Sequence, residues 1–154
     1  MGDNLRDLFI IQTDILFENI ENTINEINKS QLYDKNICNW ELGVQIFHFL
    51  HSLDKWFINP VTYEENHFFP ADKTEYSKDE LFEYFVYIKI KISNYLNELD
   101  ANSLNNNPSS CQFNKMTLIL GQYRHLMYHI GYLHACLKIH TVIAPKYIGL
   151  ELTK

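Results

Sequence analysis

Residues 116–140, MTLILGQYRHLMYHIGYLHACLKIH, hold the pattern that decides the fold. Ile119, Tyr123, Leu126, Ile130, Leu133 and Leu137 recur at alternating steps of four and three. That spacing puts them on one stripe of an α-helix, which turns every 3.6 residues. Strands would need alternation with period two, and no long stretch of the chain has it. Met116–His140 is therefore read as a long amphipathic helix, and three other stretches follow the same rule.

The first runs from Asp3 to Asn28, with Leu5, Leu8, Phe9, Ile15, Leu16, Ile20, Ile24 and Ile27 as its stripe. The second, Trp40–Phe57, ends before Pro60 and carries Val44, Phe47, Leu50, Leu53 and Phe57. The third, Lys78–Leu99, opens on Ser77-Lys78-Asp79-Glu80, the pattern of a capping box, in which the Ser and Glu side chains each satisfy a free backbone N–H. Four such helices predict an all-α four-helix bundle, a single domain over residues 1–154. The short turn 29–39 suits antiparallel neighbours. Residues 59–76 are different. Fully extended they reach ~60 Å, where a helix needs ~27 Å, so a crossover with helices two and three parallel is open to the chain. Residues 101–114, rich in Asn, Pro and Ser, read as a polar loop. The tail after Pro145 reads as irregular, with Tyr147, Ile148 and Leu150 to pack down.

Composition narrows the function classes. The chain has 154 residues, 46% apolar and 21% charged, as in an ordinary folded domain. A formal charge of −6 argues against nucleic acid and against an anionic membrane surface as partners. No run reaches the ~18 apolar residues of a membrane span. Acids flank the short apolar run near the N-terminus, which does not look like a secretory signal. Cys38, Cys111 and Cys136 are odd in number and form no CxxC, which reads as three reduced thiols in a cytoplasmic protein.

The seven histidines carry the chemistry. His125 and His129, four apart, stack on one face of their helix. Gln122, Leu126 and Leu133 share that face, so it is expected to point inward. His48 and His51 sit in an otherwise apolar second helix. A buried neutral imidazole needs partners at both ring nitrogens, and one metal ion can occupy a nitrogen on each of three rings. Three imidazoles from two helices suit a divalent transition metal and leave a position open for water or substrate. An i,i+4 histidine pair also arises by chance among seven, and the glutamate of an HExxH motif is missing. His67, in the crossover, and His140 are expected to be exposed. His134 is turned ~140° from His129 and is not expected to be a ligand. Trp40 and Trp56 are read as core packing.

At these residues the chain resembles the DinB/YfiT-like family of metalloenzymes. The resemblance rests on Trp40 eight residues before His48, on the run His48-Phe49-Leu50-His51-Ser52-Leu53-Asp54-Lys55-Trp56-Phe57, on Ser77 to Tyr84, on Arg124-His125 with His129-Ile130-Gly131, and on Ala144-Pro145-Lys146-Tyr147-Ile148. It implies a four-helix bundle with a long crossover and a three-histidine metal site at His48, His125 and His129. It implies one divalent ion, zinc or nickel, acting on a small-molecule substrate, with a low-molecular-weight thiol among the candidates. The reaction would be hydrolysis or thiol transfer. His51, Asp54, Gln122 and Arg124 are the candidates for the surrounding shell or pocket, with His51 also the alternative helix-two ligand and Asp54 a partner for a ligand histidine or for Arg124. Tyr132 stands where the family often has Gln or Glu. The alternative function is a non-catalytic, metal- or small-ligand-binding stress-response protein. A homodimer is expected, both from the resemblance and from the surplus apolar surface of a chain with ten Phe and ten Tyr.

Overall fold

The computed structural model describes residues 2–141 and 145–149. The described residues form four helices and no strand: α1 (Gly2–Glu26), α2 (Leu42–Trp56), α3 (Lys78–Glu98) and α4 (Lys115–Thr141). Each forms where the apolar stripe predicted it. In α4, Ile119, Gln122, Leu126, Ile130, Leu133 and Leu137 are buried. In α3, Leu81, Phe85, Ile88, Ile92 and Leu96 are. Helix α2 buries Leu42, Ile46, Phe49, Leu50 and Leu53 and leaves His48 and Trp56 on its exposed side. Truncating Leu126 or Leu53 to Ala would remove about 2–5 kcal/mol of burial and packing.

The starts and stops have local causes. Ser77 caps α3: its Oγ accepts from the Glu80 N–H at 3.3 Å, and Glu80 Oε2 accepts from the Ser77 N–H at 2.9 Å. Lys73 donates to the same carboxylate at 2.9 Å, and with Ser77 it holds Glu80 down to about 2. Helix α1 has no cation of its own in its last turn. Lys78 supplies one from the start of α3, donating to the carbonyls of Asn25 and Ile27, where a helix leaves its C=O groups unpaired.

The contacts give each helix a direction. Phe47 stacks on Tyr76 at 4.2 Å and Phe57 meets Tyr95, so α2 and α3 run parallel and the 57–77 connection is a true crossover. Ser52 meets Gln122 and His48 meets His129, so α2 and α4 are antiparallel. Phe17 meets Phe85, and Tyr123 reaches back to Phe9 and Thr13. The packed faces join α1 to α3 and α4, and α2 to α3 and α4. Helices α1 and α2 are therefore diagonal, not the antiparallel neighbours expected from their short turn. The turn itself, with a 3-10 segment at Gln31–Tyr33, carries the chain across the bundle end.

Three further expectations change. Cys38 and Cys136 form a disulfide, with Cα atoms 5.8 Å apart. Only Cys111 is free, and it is buried. The antiparallel packing of α2 against α4 brings these two positions together across 98 residues, a pairing that cysteine spacing does not encode. Trp40 and Trp56 are not core residues, being 55% and 38% exposed. The 101–114 loop holds a short 3-10 turn at Ala101–Ser103. The tail does pack down: the Asn19 side chain, buried in α1, donates to the Ile148 carbonyl and accepts from its N–H, each at 2.8 Å. Leu150 lies outside the described residues.

Candidate metal centre

His48 comes from the middle of α2, and His125 and His129 from successive turns of α4. Antiparallel packing sets them face to face. One ligand atom from each histidine lies within 4.8 Å of the others, and the three are the metal-compatible group found among the described residues. The ring centroids are 4.5–5.4 Å apart. His125 Nε2 and His129 Nε2 are 3.0 Å apart. Two nitrogens bound to one tetrahedral zinc would be about 3.3 Å apart, from bonds of ~2.0–2.1 Å. The donors are thus close to the spacing that a shared cation needs.

The electrostatics agree with the geometry. Burial lowers the pKa of His125, with His48 adding repulsion. Burial, then His125 and His48, bring His129 down to about 4. All three causes favour neutral rings with free lone pairs at neutral pH, the form that binds metal. His125 Nδ1 is buried and without a hydrogen-bond partner. Metal-ligating imidazoles usually have their second nitrogen anchored by an acceptor. His125 departs from that pattern, while the three-nitrogen donor set fits a divalent transition metal. Among the described residues no carboxylate joins the group, so an ion held by these three rings would keep its full double charge.

Access is open from two sides. A groove of about 550 Å3 runs past His48 between Trp40 and Phe47, with Val44 between them and Lys35 and Glu41 at its rim. A second, of about 370 Å3, reaches His129 between Trp40 and Tyr128. Tyr132 lines that second groove.

The other candidates separate from the triad. Gln122 is buried and accepts from Ser52 Oγ at 3.2 Å. Arg124 is exposed and has no ion pair among the described residues. Asp54 neither orients a ligand histidine nor meets Arg124, and it is not a solvated helix carboxylate. It is buried, with no side-chain exposure, and accepts from Lys91 Nζ at 2.5 Å and Tyr84 OH at 2.9 Å. Tyr63 OH lies 3.3 Å from it. His67, expected to be exposed, has an exposed backbone, but its ring turns in: Nε2 is 3.2 Å from Asp54 Oδ2, and Nδ1 faces the Glu64 carbonyl at 2.9 Å. Asn66, at φ 60°, takes a left-handed conformation that aims the next residue inward. His51 borders the first groove beside His48, but its nitrogens face Tyr63 OH at 3.3 Å and Glu65 Oε2 at 3.4 Å. Burial lowers its pKa, against the pull of Glu65.

Sequence reasoning missed this second cluster. One signal was present: Lys91 sits beside Ile88 and Ile92 on the inward stripe of α3, where a cation needs a partner. Nothing in the sequence paired it with Asp54. His134 is satisfied by Thr23 Oγ1 at 2.8 Å and His140 is exposed, as expected. No helix of the described residues is long and apolar enough to cross a membrane. Compared with protein-family models, with curated proteins and with solved structures, the chain has no significant match.

Proposed function

We propose that this chain is a three-histidine metalloprotein that acts on small organic molecules, an enzyme of the hydrolase or thiol S-transferase kind implied by its resemblance to the DinB/YfiT-like family. The observation that carries the reading is the convergence of His48, His125 and His129 beside two open grooves. Zinc or nickel suits three imidazole nitrogens best. Such an ion would act as a Lewis acid, lowering the pKa of a water or thiol bound to it. The chain's own part is to hold and expose. His125 and His129 present lone pairs from one rigid helix face, and His48 closes the set from α2. Trp40 and Phe47 wall the approach to His48. His51 borders the groove beside His48, its nitrogens turned towards Tyr63 OH and Glu65 Oε2 of the crossover.

One observation favours a second reading, a non-catalytic metal- or ligand-binding protein: among the described residues no carboxylate joins the three histidines to act as a base. The cytoplasmic setting has lost its argument from cysteine, since a disulfide favours an oxidising compartment. A homodimer would cover exposed Leu8 and Ile11 of α1 and Leu120 and Met127 of α4.

Metal analysis of protein purified without a histidine tag tests the centre. About one equivalent of zinc or nickel is expected, and protein that stays metal-free after incubation with both would reject it. Metal-loaded protein is then assayed with generic esters and with thiol–electrophile pairs. Turnover supports the enzyme, and tight metal without turnover supports the second reading.

A further inference from the structure

Trp40 carries the inference. The residue is 55% exposed, yet its main chain is held at its carbonyl and through both flanks. Buried Gln45 spends its amide on the Trp40 carbonyl, donating at 3.0 Å. Two residues earlier, Cys38 is tied to α4 through Cys136. One residue later, Glu41 pairs with Lys35 at 3.1 Å. The His48 ring is nearly perpendicular to the indole, with ring centroids 6.0 Å apart. An exposed tryptophan on a mobile loop needs no explanation. One held this firmly, with a groove on each side of it, is built to present its face.

We propose that the groove lined by Trp40 and Phe47 is a binding site for a planar aromatic molecule without negative charge, stacked on the Trp40 indole. Phe47, which also lines the groove, is itself held by stacking on Tyr76 at 4.2 Å. The volume of about 550 Å3 suits a small organic ligand, in the range of ~300–1,000 Å3 for such sites. Charge selects against anions. Lys35, the one lysine among the described lining residues, is already neutralised by Glu41, and the chain as a whole carries −6. An anion would find no free lysine there. Stacking against an indole favours a π-system over a saturated ring of the same size. The ligand would lie against His48, so the site deepens the proposed function, but stacking does not require a metal.

Equilibrium dialysis of 2-naphthol tests it, with the protein as purified and again after EDTA. Binding is expected in both states, so failure of the metal centre and failure of this site are told apart. Decahydro-2-naphthol and naphthalene-2-sulfonate should bind about tenfold more weakly. Trp40→Ala and Trp40→Leu should weaken 2-naphthol about five- to tenfold, and Trp40→Phe should restore most of the loss. The saturated alcohol binding as tightly, unchanged affinity in both Trp40→Ala and Trp40→Leu, or no binding at millimolar 2-naphthol would overturn the proposal. In Trp56→Phe protein, Trp40 is the sole tryptophan. A concentration-dependent blue shift of its emission without ligand would assign the indole to a subunit contact, and would overturn the proposal too.

Discussion

Helix α2 carries two polar clusters less than two turns apart, and they differ in how their needs are met. Around Asp54 every charge has an answer: Lys91 and His67 face the carboxylate, and Tyr84 donates to it. Around His48 the three rings face one another, with lone pairs converging and one buried nitrogen unpartnered. A satisfied buried cluster holds elements together, here the crossover to α2 and α3. A cluster in which His125 and His129 share a hydrogen bond at 3.0 Å while a buried nitrogen keeps no partner is still open to something from outside, and it marks a candidate binding site. Both contain histidines, so residue type does not separate them; the accounting of donors and acceptors does.

Removing the hub of the satisfied cluster gives the largest expected effect. Asp54→Ala leaves the Tyr84 hydroxyl without its acceptor and Lys91 with only the residue-54 carbonyl at 3.2 Å, and should cost about 3–5 kcal/mol in urea unfolding. If it cost under 1 kcal/mol, the cluster would not be what pins the crossover. Cys136→Ser opens a bridge spanning 98 residues and should cost about 2–4 kcal/mol. Equal stability of the oxidised protein with and without reductant would argue that the two sulfurs are not joined in solution.

The unsatisfied cluster should respond in the opposite way. His129→Ala should abolish stoichiometric zinc or nickel binding, while metal-free stability changes by no more than about 1 kcal/mol. Retained metal at unchanged affinity would move the site elsewhere. Acid should act through the same ring. The folded state holds His129 neutral down to about 4, against 6.5 for an unperturbed side chain. Between these values the unfolded chain takes a proton that the folded chain refuses. The ring's contribution is therefore constant above pH 6.5 and is lost as pH falls towards about 4. A pH series of metal-free denaturation curves checks this, and no loss of stability below pH 6.5 would contradict it. Proton competition at His129 should weaken metal binding only as pH approaches about 4, because the folded ring stays neutral above that. The smallest effect belongs to His140→Ala, exposed at the end of α4, which should change neither metal content nor stability beyond about 0.5 kcal/mol.

The sequence alone determined what depends on neighbours along the chain. The 3.6-residue stripe located all four helices within a few residues, Ser77 and Glu80 located a cap, and the i,i+4 spacing put His125 and His129 on one inward face. The length of the 57–77 connection left room for the crossover. Everything that needed one helix to meet another was decided by tertiary structure. The packing of α2 against α4 delivers His48 to the α4 pair and joins Cys38 to Cys136. The diagonal of α1 and α2 escaped a rule based on turn length, because a short turn limits distance without choosing which face is packed. Trp40 looked like core because large apolar side chains usually are; only the fastened backbone around it reveals that its exposure is imposed. Asp54, Lys91 and His67 lie on three separate elements, and no periodicity along the chain relates them. Local hydrogen bonding and side-chain period are written in sequence order, whereas the partners of a buried charge are chosen by packing.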